Sequence, residues 1–316
     1  MVLQFILLSI GFAVLIKGAD WLVNGSVSIA RHYKVSELII GLTIVAFGTS
    51  SPELVVNIIS SIKGYSDITM GNIVGSNIFN LMFILGISGL VFPLIVNIKT
   101  IWNEIPFSLL AAVMILILAN IAFYPNEIKM IDRIEAAILL ISFAFFMFYI
   151  FRDIKKNKVT YDSDVKKIKP SIAGLLILIG LAFLVVGSKL VVDSAVKIAQ
   201  YLGASEKLIG VTIISAGTSL PELVTSVVAA IRKKSDIAIG NVIGSNIFNI
   251  FFILGISALI RPIRYNPSFN FDILLLSVAT IVLFLFMFSG KRHKLDRWES
   301  GILLLGYIGY ITYLLA

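Results

Sequence analysis

The 316-residue sequence contains no cysteine, only two histidines and few charged residues. Without cysteine, the chain can form neither disulfide bonds nor thiolate metal sites. Charged residues make up 14% of the sequence, against about 25% in soluble globular domains, and 58% of the residues are hydrophobic. The low charge excludes an ordinary soluble domain and predicts an all-α integral membrane protein.

Ten apolar runs are long enough to cross the bilayer, each with about the 20 residues that a transmembrane helix needs. The runs are 2–30, 37–62, 68–92, 104–123, 131–151, 171–200, 206–231, 237–261, 270–289 and 299–315. The first run lacks the basic segment of a signal peptide, so we expect it to stay in the mature protein. The net charge of +8 does not predict nucleic-acid binding, because the basic residues lie between the runs.

An internal duplication relates the two halves of the chain. A shift of 169 residues aligns 36–89 with 205–258 without a gap, and about 31 of the 54 positions are identical. A fixed-period match of this length is the signature of a repeat architecture. The sequence therefore predicts a first five-helix repeat at 1–151, a basic linker at 152–170 and a second five-helix repeat at 171–316.

Five helices per repeat is an odd number, so the second copy must enter the membrane from the opposite side. Inverted repeats of this kind are typical of secondary transporters, with the substrate site where the repeats meet. Basic residues in loops favour the cytoplasm. With the N-terminus outside, the inward loops contain 17 basic residues and the outward loops 7. We therefore predict a multi-pass protein of the cell membrane, with both termini outside and the linker in the cytoplasm.

One polar motif interrupts an apolar run in each half. It reads Gly-Thr-Ser-Ser-Pro-Glu at 48–53 and Gly-Thr-Ser-Leu-Pro-Glu at 217–222. An ionisable residue in the membrane interior costs about 2.5–3.5 kcal/mol on insertion scales and is a functional candidate by default. Pro52 and Pro221 cannot donate to the carbonyl four residues earlier, so each helix is predicted to break there and free backbone oxygens.

The residues around the two glutamates form an all-oxygen donor set. Thr49 and Thr218 precede Glu53 and Glu222 by four residues, a spacing that places each pair on one helix face. The other hydroxyl and amide candidates are Ser50, Ser219, Ser76, Asn80, Ser245 and Asn249. Ca²⁺ and Na⁺ prefer oxygen ligands, and the absence of nearby histidine or cysteine argues against zinc, copper and iron. Two ionised glutamates would neutralise one Ca²⁺ or two Na⁺, so the two ions should compete for one pocket.

With these motifs, the chain resembles the sodium/calcium exchangers of the cation/calcium exchanger superfamily, whose two repeats carry G-T-S-x-P-E and G-S-N-I-x-N/D. The resemblance implies ten helices, with the first and sixth sliding against the other eight. It implies Na⁺/Ca²⁺ antiport by alternating access, with Ca²⁺, Na⁺ and lipid as partners and no cofactor or enzymatic activity. By resemblance, the glutamates are the principal ligands and the threonines supply backbone carbonyls. The serines help to hold Na⁺ and the asparagines complete the central position. Ala46 and Ser215 flank the outer sites.

The sequence leaves open which ion is coupled to Ca²⁺ and whether the protein is a carrier or a channel. Potassium-dependent relatives resemble this pattern but place aspartate where Asn249 stands, which argues against K⁺ transport. Calcium/proton relatives typically carry G-N-x-x-E, which favours Na⁺ here, although glutamates can also carry protons in an H⁺/Ca²⁺ antiporter. A cation channel is a further class, and the sequence shows no nucleophile–base set of an integral-membrane enzyme.

Overall fold

The computed structural model describes residues 2–120, 129–157, 159, 168–202, 215–290 and 293–315 of the chain. These residues are almost entirely helical, and four two-residue strands pair in two short antiparallel ladders. Strand β1 (Leu94–Ile95) pairs with β4 (Lys294–Leu295), and β2 (Met130–Ile131) pairs with β3 (Ile263–Arg264). Each ladder ties together two loops that are far apart in sequence.

The helices of the first half follow one another with short connections. They are α1 (Val2–Tyr33), α2 (Glu37–Ile40), α3 (Ala46–Thr49), α4 (Ser51–Lys63), α5 (Ser66–Ile78), α6 (Leu85–Val91), α7 (Ile105–Asn120) and α8 (Arg133–Lys156). Wider π-helical segments join some of them, at Gly41–Val45, Phe79–Ile84 and Thr100–Glu104. Such segments are rare and frequently occur at functional sites.

The second half repeats this order. Its helices are α9 (Pro170–Tyr201), α10 (Ser215–Thr218), α11 (Leu220–Ile231), α12 (Ser235–Ile247), α13 (Gly255–Ile260), α14 (Phe269–Phe286) and α15 (Arg297–Leu315). A π-helical segment at Phe248–Leu254 joins α12 to α13, as Phe79–Ile84 joins α5 to α6. The equivalent segments therefore have the same irregular backbone.

Within the described part of the chain, seven helical stretches are long and apolar enough to cross a membrane, and a bent pair, Glu37–Thr49 with Ser51–Lys63, makes an eighth. Large apolar side chains cover the outer surface, including Phe145, Phe148 and Leu305, each more than half exposed. A soluble protein rarely exposes so much contiguous apolar area. The predicted helical membrane protein is confirmed at this level.

The two longest helices, α1 and α9, pack side by side through glycines. A Cβ atom on Gly18 would lie 2.8 Å from the Gly180 carbonyl oxygen, and one on Gly25 would lie 2.7 Å from the Ala173 carbonyl oxygen. Small residues let membrane helices approach this closely. Each helix has 32 residues, about 48 Å of length, which exceeds the hydrocarbon core of about 30 Å.

Both predicted helix breaks are present. The chain leaves helical geometry at Ser50 (φ −82°, ψ 10°) and at Ser219 (φ −91°, ψ 9°), and the first break bends the span by 47°. Pro52 and Pro221 then lie in the first turn of the following helix, where a missing N–H costs no hydrogen bond. Each break therefore starts a new helix N-terminus in the middle of the molecule.

The other boundaries differ from the prediction by a few residues. Part of the predicted linker 152–170 is helical, because α8 continues to Lys156 and α9 begins at Pro170. Residues 158 and 160–167 of that linker lie outside the described residues. The first part of the run 206–231 and residues 121–123 of the run 104–123 also lie outside them.

Candidate functional site

The two glutamates lie deep inside the protein, each in the first turn of a helix that begins at a break. Glu53 is 1% exposed in α4, and Glu222 is fully buried in α11. The unpaired N–H groups and the dipole of a helix N-terminus stabilise a carboxylate by about 0.3–1 kcal/mol or more. The break therefore places each acidic side chain where the backbone favours its negative charge.

Serine hydroxyls bind the glutamates across the two halves of the chain. Ser50 Oγ donates to Glu222 Oε1 at 2.8 Å, and Ser219 Oγ lies 2.9 Å from Glu53 Oε1 in the equivalent contact. These two contacts tie the two motifs to each other at the glutamates. The acidic side chains predicted from the two motifs thus meet in one buried site, and neither faces lipid.

A second pair of serines extends this arrangement. Ser50 Oγ lies 3.0 Å from Ser245 Oγ, and Ser219 Oγ lies 3.1 Å from Ser76 Oγ. All four serines are buried. Each glutamate therefore contacts a serine of the other motif, and that serine contacts a second serine in the helix that follows the glutamate's own helix.

Asn80 and Asn249 lie in the π-helical segments directly after the helices that carry these serines. Asn80 Nδ2 donates to Asn246 Oδ1 at 3.1 Å, and Asn249 Nδ2 donates to Asn77 Oδ1 at 3.0 Å. The partners Asn77 and Asn246 also donate to each other's backbone carbonyls at 3.2 Å. Because the NH₂ groups are committed to these bonds, the amide oxygens of Asn80 and Asn249 are left free as acceptors.

Four buried oxygen atoms at this site have no hydrogen-bond partner among the described residues. They are Glu53 Oε2, Glu222 Oε2, Asn80 Oδ1 and Asn249 Oδ1. An unsatisfied buried polar atom costs about 1–3 kcal/mol, and more when it is charged. Four such acceptors in two equivalent pairs indicate a site whose remaining partner is a cation.

Thr49 and Thr218 contact a further pair of asparagines, which were not among the predicted site residues. Thr49 Oγ1 donates to Asn241 Oδ1 at 3.0 Å, and Thr218 Oγ1 lies 3.4 Å from Asn72 Oδ1. Asn241 Nδ2 in turn donates to the Glu222 carbonyl oxygen at 3.3 Å. The recurrence of Gly-Asn at 71–72 and 240–241 could have indicated these asparagines. A Gly-Asn pair on a membrane helix is, however, equally typical of close helix packing.

The two remaining predicted residues are placed differently. Ala46 is buried in α3, and its carbonyl oxygen accepts a hydrogen bond from the Ser50 N–H at 3.0 Å and lies 3.3 Å from Thr49 Oγ1. Ser215 begins α10, and its side chain lies outside the described residues. The role of both residues in ion binding stays a prediction.

The donor chemistry fits a hard cation. The two glutamates and two asparagines together present six carboxylate and amide oxygens, the lower end of the six to eight that Ca²⁺ takes. Among the described residues, no group of three or more His, Cys, Asp or Glu could hold a metal ion. These oxygen donors are therefore suited to Ca²⁺ or Na⁺ rather than to a transition metal.

Comparison with known proteins identifies the family of the chain. The chain matches the family model described as "Sodium/calcium exchanger protein" over residues 3–152 and 172–316. The putative antiporter CaxA of Alkalimonas amylolytica is 37% identical, and the sodium/calcium exchanger MaX1 of Methanosarcina acetivorans is 31% identical. Each alignment covers 98% of both chains.

Solved structures agree with these relatives. A structure of the sodium-calcium exchanger NCX_Mj, soaked with zero Na⁺ and Ca²⁺, superimposes with a TM-score of 0.83 and 33% sequence identity, covering 99% of both chains. A second structure of that exchanger, soaked with 10 mM Na⁺ and zero Ca²⁺, gives the same TM-score over 98% of both chains. The family model covers almost the whole chain, and so do these relatives. The chain belongs to the sodium/calcium exchanger family.

Proposed function

We propose that this protein is a secondary antiporter that exchanges Na⁺ for Ca²⁺ through the site between Glu53 and Glu222. The observation that carries the proposal is the set of four buried, partnerless oxygens from these glutamates and from Asn80 and Asn249. Membership of an exchanger family supports cation exchange with Ca²⁺, and the name of the relative MaX1 supports Na⁺ as the counter-ion.

Charge balance explains why binding of Na⁺ and binding of Ca²⁺ at this site would exclude each other. Two ionised glutamates bring a charge of −2, which one Ca²⁺ neutralises as well as two Na⁺. At separations of about 4 Å, unit charges in a protein interior interact by about 4 kcal/mol at an effective dielectric constant of 20. Simultaneous binding of Ca²⁺ and several Na⁺ would leave excess positive charge, so occupancy by one ion species opposes the other.

Alternating access would follow from two inverted five-helix repeats, ten helices in all. In this proposal the paired helices α1 and α9 slide against the remaining helices and expose the site to each face in turn. The termini lie outside and the basic linker lies in the cytoplasm, as the distribution of basic residues favours. The equivalent hydrogen bonds of the two halves support a mechanism in which the site can open to either face in the same way.

Flux measurements in proteoliposomes test the proposal. Vesicles loaded with Na⁺ and diluted into Na⁺-free buffer should take up Ca²⁺, and a sodium ionophore that collapses the gradient should stop the uptake. Uptake that ignores the Na⁺ gradient but follows a pH jump in Na⁺-free vesicles would instead support H⁺/Ca²⁺ antiport. Single-channel currents in planar bilayers would contradict both carrier models.

A further inference from the structure

A cavity opens on one side of the site. It has a volume of about 250 Å³ and lies between α5, α10, α14 and α15. The cavity, which we call the Asp272 cavity, extends from Ser76 in the site to Leu314 near the end of α15. An ion that moves between Ser76 and the membrane face where α14 begins would pass along this cavity.

Asp272 is the one charged residue among the described residues that line the cavity. Tyr310 donates its hydroxyl to Asp272 Oδ1 at 3.0 Å, which holds the half-buried carboxylate in the cavity wall. None of the ion pairs between described residues involves Asp272. Its negative charge is thus available to a cation in the cavity, and the apolar surroundings, which include Phe269 and Phe79, screen it poorly.

The equivalent region of the other half is tightly packed. A Cβ atom on Gly244 would meet the Leu42 carbonyl oxygen at 2.7 Å, whereas Gly75, its counterpart, lines the Asp272 cavity and has no described atom within 4 Å of such a position. The counterpart of Asp272, 169 residues earlier, is Asn103, which carries no charge. The described residues therefore carry an acidic side chain at this position in the second half and an uncharged side chain in the first.

We propose that Asp272 is a cation-recruiting residue, which concentrates hydrated Ca²⁺ and Na⁺ in the cavity before they reach the four partnerless oxygens. This inference rests on the proposed function of that site. A cleft lined by one sign of charge, with walls of low dielectric constant, raises the local concentration of counter-ions and their association rates. Because the Boltzmann factor contains the ionic charge, the local enrichment of Ca²⁺ is the square of the enrichment of Na⁺.

The competing explanation is purely structural. Asp272 lies in the first turn of α14, where a carboxylate favours the helix dipole by about 0.3–1 kcal/mol. Under that explanation, removal of the charge lowers stability but leaves ion association unchanged. The two explanations therefore differ in a kinetic measurement.

The test changes the charge of one side chain in the folded protein. Because the chain has no native cysteine, Asp272→Cys introduces a single thiol that methanethiosulfonate reagents can modify. Compared with the native protein, Asp272→Asn and Asp272→Cys should slow Ca²⁺ association about 3- to 10-fold at low ionic strength, near the lower end of steering effects. The loss for Na⁺ should be about the square root of the loss for Ca²⁺.

Modification of Asp272→Cys separates charge from folding. An anionic sulfonate reagent should restore much of the lost Ca²⁺ association rate, and a cationic ammonium reagent should reduce the rate further. Tyr310→Phe, which keeps the carboxylate, should have a small effect. Asn103→Cys, treated with the same reagents, is the matched control in the other half and should respond to neither when ions reach the site through the cavity.

Two readouts keep this inference distinct from the proposed function. Stopped-flow association of Ca²⁺ with the purified protein tests Asp272 directly, whereas Na⁺-driven uptake into vesicles tests antiport. Equal association rates in native protein, Asp272→Asn and both modified forms would overturn the recruiting role, even if antiport is intact. Antiport that fails while the charge of residue 272 still sets the association rate would instead remove only the proposed exchange.

Discussion

In each half, the proline frees one backbone carbonyl, and a serine hydroxyl binds it. The serine of the first half lies in the same broken segment, whereas the serine of the second half lies in another helix. Gly48 O accepts a hydrogen bond from Ser51 Oγ at 2.7 Å. Gly217 O accepts one from Ser188 Oγ in α9, also at 2.7 Å. At the ion site the serine–glutamate contacts and the contacts of Asn80 and Asn249 are equivalent in the two halves, so the duplication has kept these contacts and changed their surroundings.

The sequence explains this exchange of partners. A shift of 169 residues places Leu220 at the position of Ser51 and Ser188 at the position of Ala19. Each half therefore has one serine available for the same purpose, at different places in the chain. In the second half the cap also joins α9 to the broken helix, and in the first half it does not.

The largest expected effect tests the equivalence of the two halves at the site. Glu53→Gln and Glu222→Gln should each weaken Ca²⁺ binding by at least about 100-fold, since removing one member of a buried charge set costs about 3–5 kcal/mol. Isothermal titration of the purified variants measures the affinity. Glu37→Gln, at a partly exposed ion pair with Lys234, is the control for loss of one carboxylate. A large effect of only one of the two site substitutions would break the equivalence.

The next effect concerns the asparagines that orient the amide ligands. Asn77→Ala and Asn246→Ala each leave the neighbouring amide free to turn, and loss of such a supporting group typically costs 10- to 100-fold in metal affinity. Ca²⁺ titration should show similar losses for both variants. Affinities that match the native protein would mean that backbone packing alone orients Asn80 and Asn249.

A smaller effect should distinguish the two helix caps. Ser188 is buried, so Ser188→Ala should lower the free energy of unfolding by about 1–3 kcal/mol through an unsatisfied carbonyl. Ser51 is only partly buried, so water can replace its hydroxyl and Ser51→Ala should cost about 0.5–1.5 kcal/mol. Thermal unfolding in detergent measures both, and an equal or reversed order would contradict the comparison.

The smallest expected effect is at the surface. Asp20 in α1 pairs with Arg232 after α11, and the equivalent positions of the other half are Lys189 and Lys63, which cannot pair. Such partly exposed ion pairs contribute about 0.2–1 kcal/mol. A double-mutant cycle of Asp20→Asn and Arg232→Gln should show this coupling and lose it in high salt. Coupling that persists at 1 M salt would contradict a simple surface pair.

The sequence predicted the composition of the site better than its connections. The two glutamates, the four serines and Asn80 with Asn249 stood out because polar groups repeated inside apolar runs. The i to i+4 spacing of Thr49 and Glu53 predicted that the two residues share one helix face. In the structure Ser50 and Ser219 each contact the glutamate of the other motif, which the spacing within one motif does not indicate.

The remaining features depend on packing between distant segments. Hydrogen bonds such as Asn249 to Asn77 join residues 172 positions apart, and no local pattern states which faces of two helices meet. The same holds for Ser188, whose spacing in α9 gives no sign of the carbonyl that it caps. The Asp272 cavity also depends on how four helices are arranged, and its one acidic residue is unremarkable in the sequence.

The four partnerless oxygens affect the free-energy cost of reorienting the site when no ion is bound, under the alternating access proposed above. A carrier that reoriented without a bound ion would have to keep two carboxylates and two amide oxygens without a cation in a low-dielectric interior. Under the proposed mechanism, that cost would make the return of the site to the other membrane side depend on the binding of a new ion. Under the proposed exchange, the electrostatics of this one site would therefore couple the two opposite ion flows.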